Sequence, residues 1–205
     1  LIEVARDRED QALGAAASFE ANIAKKEFDE ALRTLPILAR ESDIRYYPRI
    51  NVALLKASDA FTQANRINDA ALLLNLIKTT DIMIEYFEQQ RSQKQAEIEQ
   101  KEAFQASETV IGEVKNELKS IETKLEKLRE LPTLRNELLV RRARNYTRTQ
   151  RSYEAFWMFY DLMQENPDDA QAEFYTYASF SNALQLNKTE TALKIGRFFP
   201  DFSLI

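Results

Sequence analysis

Residues 113–131, EVKNELKSIETKLEKLREL, constrain this chain more than any other stretch. Ile111, Val114, Leu118, Ile121, Leu125 and Leu128 recur at alternating steps of three and four, and nearly everything between them is Lys, Glu, Asn, Ser or Thr. Two apolar positions in seven make a heptad seam, the mark of a helix that buries one narrow stripe against another helix. Residues 88–102 offer only Ala96 and Ile98 as apolar groups, so that stretch cannot sit in a core. It reads as a solvated rod, or as one limb of an antiparallel hairpin that turns near Gln105 to Thr109, with Ser107 capping the returning limb. The hairpin puts a partner stripe within reach of the seam and makes the arm an internal coiled coil. The same seam shared between two copies makes it a homo-oligomer interface.

The rest of the chain is also helical in character. Three glycines and five prolines in 205 residues leave few helix breakers. A net charge of −5 with both signs interspersed argues against a general nucleic-acid or anionic-membrane binder, which carries a basic excess. The longest apolar run, residues 70–77, is interrupted by Asn75 and belongs to an amphipathic helix, so no membrane span is expected. The chain contains no cysteine and no histidine, which removes thiolate and imidazole chemistry, disulfides and the usual zinc sites. Glycine occurs only at 14, 112 and 196, too sparsely for a phosphate-cradling loop. Asp168 with Asp169, or Glu99 with Glu102, read as solvated helix acids, since bundle-type metal sites also need histidine. The expectation is a non-enzyme with no catalytic, cofactor or metal residues. The first residue is Leu rather than Met, which reads as a trimmed or processed piece.

Along the chain, residues 3–26 carry Leu13, Ala16, Ala17, Phe19, Ala21 and Ile23 on a helical pattern, and residues 27–42 carry Phe28, Ala31, Leu32, Leu35 and Leu38. Pro36 is expected to kink the second of these or to start a fresh turn. A connection at residues 42–47 leads to Pro48, at the first position of a helix reaching about Arg66 with Val52, Leu55, Ala57, Ser58, Phe61 and Ala64 inward. Asn68 is the predicted N-cap of the next helix. That helix is expected to run from Asp69 past Ile77 and Phe87 into the arm without a break. Pro132 ends the arm. Helices are then expected over 133–150, 153–164, 170–186 and 189–199, with Asn166-Pro167-Asp168-Asp169 as a stop signal and an apolar tail at 201–205.

Helix pairs beginning near residues 10, 49, 134 and 170 recur with a period typical of helical repeats. Ala31 and Ala70 are 39 residues apart, Ala155 and Ala192 are 37 apart, and the longer gap between Ala70 and Ala155 holds the heptad arm. The pattern resembles the tetratricopeptide repeat family. Residues 136–169 match it best, through Leu139, Ala143, Tyr146, Ala155, Phe159 and Asn166-Pro167. Residues 51–84 follow through Leu54, Ser58, Phe61, Ala70, Leu74 and Ile77 without the closing proline. The first pair keeps Phe28 and Ala31, and the last departs most, with Phe174, Tyr177 and Ala178 before Pro200. The resemblance implies an all-α protein of stacked antiparallel helix pairs, interrupted by a long helical arm: pairs over 1–87, the arm over 88–131, pairs again over 132–205.

The resemblance also implies a groove lined by the first helix of each pair. Arg141, Arg144, Arg148 and Arg151 fall within about 80° of one helical face. Arg144 and Arg148 lie near positions that the family uses to grip peptides and their carboxylates, a task that guanidinium forks suit. The competing reading is a solvated face whose arginines pair with nearby acids such as Glu137 and Glu154. Nine aromatic residues between Tyr153 and Phe180 cannot all share one inward stripe, so one or two, Trp157 and Tyr175 among the candidates, are expected at the groove. The function expected is a scaffold holding a protein or peptide through Arg141, Arg144, Arg148, Trp157 and Tyr175. The alternative is a structural oligomer assembled through the arm.

Overall fold

A computed structural model describes residues 14–40 and 48–198. All regular structure among them is helical: α1 (residues 14–24), α2 (Phe28–Arg40), α3 (Pro48–Gln63), α4 (Ile67–Leu76), α5 (Thr80–Ala103), α6 (Glu108–Arg129), α7 (Arg135–Arg148), α8 (Ser152–Glu165), α9 (Ala172–Gln185) and α10 (Thr189–Gly196). α3 packs on α4, α7 on α8, α8 on α9 and α9 on α10, and this order is interrupted at the arm. α5 and α6 pair with each other, and α7 returns to pack on α3 and α4. The stack of pairs therefore continues across the arm as though the arm were not there. One apolar core joins the first two pairs and takes in Leu138 of α7. A second runs from Val140 and Ala143 of α7 to Ile195 of α10.

The four pairs turn in the same way. Lys26, Asn65, Gln150 and Asn187 adopt the left-handed conformation, with φ of 62°, 61°, 59° and 55°. Each following N–H reaches back to a carbonyl in the last turn of the helix: Glu27 to Asn22, Arg66 to Phe61, Arg151 to Tyr146 and Lys188 to Ala183, at 2.8–2.9 Å. This is the Schellman closure, usually built on glycine. Five residues after each left-handed residue comes a fully buried alanine: Ala31, Ala70, Ala155 and Ala192. The chain thus repeats a six-residue unit, KEFDEA, NRINDA, QRSYEA and NKTETA, in which the small last residue lets the second helix approach the first closely.

The arm is a hairpin closed by the same turn, with Gln105 at φ 54° and the Ala106 N–H donating to the Lys101 carbonyl at 2.9 Å. Ser107 holds the N-cap position of α6, but its side chain makes no capping bond. Val114, Ile121, Leu125 and Leu128 are buried, and Ile111 and Leu118 half-buried, against α5 of the same chain. The facing stripe of α5 is Ile84, Phe87, Arg91, Lys94, Ile98 and Lys101, again in steps of three and four. Its lysines lay their aliphatic stems along the seam and carry their charges to carboxylates, Lys94 to Glu117 at 2.7 Å and Lys101 to Glu97 at 3.2 Å. Glu102 with Lys115 and Glu88 with Arg129 tie the limbs further along.

The expected continuous helix from Asp69 into the arm is corrected. α4 begins at Ile67 with Arg66 as its N-cap, and it stops at Leu76. Ile77 and Thr79 are extended, with ψ of 133° and 162°. The cause lies on α3, where the fully buried Asn51 accepts the Lys78 N–H on its Oδ1 at 2.7 Å and directs its Nδ2 to the Met83 sulfur at 3.6 Å. Thr80 then donates its hydroxyl to the Pro132 carbonyl at 2.9 Å, bringing the two ends of the arm together. α2 runs through Pro36 as one helix. Ala64, expected inward, is exposed; on α1, Ala17 and Ala21 of the helical pattern are exposed, and Ala15 and Ala16 share the inward face with Phe19. Leu13, the 42–47 connection and the tail 201–205 lie outside the described residues.

Candidate functional site

α7 fits between α3 and α4 through its arginines. Arg141 forks onto Asp59 of α3, Nε to Oδ1 and NH2 to Oδ2 both at 2.8 Å, while NH1 donates to the Glu137 carbonyl at 3.0 Å. Arg148 donates to the Thr62 carbonyl near the end of α3 at 3.1 Å. Arg142, on the opposite flank, donates to the Leu74 carbonyl of α4 at 2.9 Å, and burial pushes its guanidinium below the usual arginine range. Its Nε has no hydrogen-bond partner among the described residues. Arg135 pairs with Glu165. Arg151 pairs with Glu154 at 2.5 Å and lies over the Tyr146 ring at 4.5 Å. These arginines mostly hold the stack together.

Arg144 is different. Among the described residues it has no hydrogen bond or ion pair, and its guanidinium carbon lies 4.8 Å from the Phe174 ring centre. A stacked guanidinium keeps its in-plane donors available while the ring fixes its orientation. Arg144 lines an open cleft of about 320 Å³ between α7 and the start of α9, together with Glu137, Val140, Arg141, Asp169 and Tyr175. The floor is firm: Val140 is buried, and Tyr175 is 1% exposed. Asp169 accepts the Gln171 N–H at 2.8 Å, and its other oxygen lies 3.4 Å from the Tyr175 hydroxyl. Burial first, then the Asp169 and Glu137 carboxylates, hold the Tyr175 phenol above its ordinary range, and Arg144 pulls the other way. Glu137, Asp169 and Arg144 therefore all act on one hydroxyl.

The structure brings Arg141, Arg144 and Tyr175 into one cleft and leaves two of the expected groove residues out of it. Arg148 lies further along α7 against α3. Trp157, 43% exposed, sits on α8 beside Tyr153. Lys188, from the next turn, places its ammonium 5.3 Å, 5.6 Å and 5.9 Å from the Tyr153, Phe156 and Trp157 rings. Asp59, Phe174 and Asp169 carry no mark in the sequence that ties them to this cleft. Asp59 and Arg141 stand 82 positions apart, with the arm between them. No group of three or more Asp or Glu residues among those described could hold a metal ion. No described helix is long and apolar enough to cross a membrane. The chain matches no protein-family model, no curated protein and no solved structure.

Proposed function

We propose that this protein is a non-enzymatic scaffold, built from pairs similar to tetratricopeptide repeats, that holds a segment of a partner protein in the cleft between α7 and α9. The observation that carries this reading is Arg144, a ring-stacked guanidinium with no polar partner among the described residues, at the edge of a cleft with a rigid floor. Its α7 neighbours are engaged in holding the stack, which makes Arg144 the group with donors to offer. α5 and α6 act as a projecting arm that sets reach. The arm's seam is covered from within the chain, so the partner is sought at the cleft.

The reading is tested with a photo-crosslinking amino acid at Gln171, on the cleft rim, and in parallel at Glu122, on the outer side of the arm. The expected result is one discrete adduct from Gln171 that Arg144→Glu abolishes. Adducts from Glu122 alone, insensitive to residue 144, refute the cleft as the binding site.

A further inference from the structure

The charges lining the cleft bear on the kind of segment it takes. Arg141 is neutralised by its fork onto Asp59, which leaves Arg144 as the available cation. Two carboxylates face it. Glu137 is exposed, with no side-chain hydrogen bond or ion pair among the described residues, and Asp169 lies with one carboxylate oxygen 3.4 Å from the Tyr175 hydroxyl. A purely acidic segment meets two carboxylates for one guanidinium, and a purely basic one meets Arg144. A segment bearing both charges satisfies both ends of the cleft.

Spacing narrows this further. Glu137 and Arg144 are two turns apart on α7, about 10.5 Å along the axis at 1.5 Å per residue. The buried Val140 lies between them and gives the middle of the segment an apolar floor. A polyproline-II chain rises about 3.1 Å per residue with three residues per turn, so residues i and i+3 share one side and lie about 9.3 Å apart. A β-strand places i and i+3 on opposite sides.

We infer, resting on the cleft reading above, that the partner segment is a polyproline-II-like stretch with a basic and an acidic side chain three residues apart. Its base meets Glu137 and its acid meets Arg144. The two residues between are small or apolar and lie over Val140.

The test uses the full chain and fluorescein-tagged twelve-residue peptides in a Gly/Ser background, read by anisotropy at low salt. The central motifs are Lys-Pro-Ala-Glu, Glu-Pro-Ala-Lys, Glu-Pro-Ala-Glu, Lys-Pro-Ala-Lys and Gln-Pro-Ala-Gln. One of the two dipolar peptides is expected to bind about ten-fold tighter than the neutral one, and tighter than either singly charged kind. Arg144→Glu should move the preference to the all-basic peptide and Glu137→Lys to the all-acidic one. Both residues are exposed, so both variants should keep the fold.

An all-acidic peptide that matches the dipolar ones overturns the inference and leaves the cleft standing as a carboxylate site. Dipolar preference unchanged in both variants overturns it by moving the site elsewhere. Failure of all five peptides overturns it as well, and the Gln171 crosslink then reports whether the cleft itself survives.

Discussion

Asn51 is the residue whose replacement says most about how the arm is attached. Its side chain is fully buried on α3 and accepts the Lys78 N–H at 2.7 Å, which ends α4 and redirects the chain into α5. Asn51→Ala leaves that N–H without its partner, at a cost of about 1–3 kcal/mol for an orphaned donor. The space left by the amide adds up to roughly 1 kcal/mol. Lys78 is only half-buried, so water recovers part of the loss, and the net expectation is about 2 kcal/mol. For a chain of this length that lowers the melting temperature by about 4–8 °C. The Lys78 amide should exchange roughly 30-fold faster, the same 2 kcal/mol expressed as an equilibrium. Asn51→Leu fills the space without restoring the acceptor, so it should recover the packing part and leave the Lys78 amide fast. Denaturant unfolding with amide exchange separates the two contributions. An Ala variant within about 0.5 kcal/mol of the parent, with Lys78 exchange unchanged, refutes the account of the α4–α5 break.

Three further outcomes follow from the same geometry. Gln150 holds a left-handed φ of 59° that glycine adopts without strain, so Gln150→Gly should stabilise by about 0.5–1 kcal/mol, measured by urea midpoint. Leu125→Ser, at the buried centre of the seam, should raise amide exchange throughout α5 and α6 while α7 to α10 and the solution mass stay unchanged; a dimer that falls to monomers instead means the seam joins two copies. Hydrogen bonds from Arg135, Arg151 and Lys94 hold the Glu165, Glu154 and Glu97 carboxyls below the usual carboxylate range. Depressed folded values mean that their stabilisation is present above the unfolded pKa, about 4.3, and is lost as pH falls through the folded values. The melting temperature should therefore drop below roughly pH 4.5, by less in 1 M salt because these pairs are exposed; a flat profile down to pH 3 contradicts this.

The helical class and the hairpin were legible because α6 carries its apolar residues at strict heptad spacing. The facing stripe of α5 was not, since three of its six positions are Arg91, Lys94 and Lys101, whose charged heads mask the stems that cover the seam. The buried alanines betrayed the repeat, but the turn ahead of each was hidden. The left-handed positions carry Lys, Asn, Gln and Asn where glycine would have announced a helix end. The break at Ile77 to Thr79 is imposed from α3, and its local mark, Thr79 at the N-cap of α5 with Asp81 in the first turn, comes without a glycine or proline to announce it. The arginine row on α7 was visible as a row. Which member is available depends on Asp59 and Thr62, 82 and 86 positions away, and on Phe174 beneath Arg144.

That the pairs on either side of the arm form a single stack is best tested by shortening the arm. Glu88 and Arg129 touch across the hairpin at 2.7 Å, so a four-residue turn, of ordinary length for two antiparallel helices, can join them in place of residues 89–128. The shortened chain retains Asn51, Met83 and Thr80 at the arm's base. It should unfold in one cooperative calorimetric transition, and the Asp59–Arg141 pair should keep a coupling of about 1 kcal/mol in a double-mutant cycle. Two separate transitions with no coupling between Asp59 and Arg141 would contradict the account, because the arm would then be what holds two independent halves together.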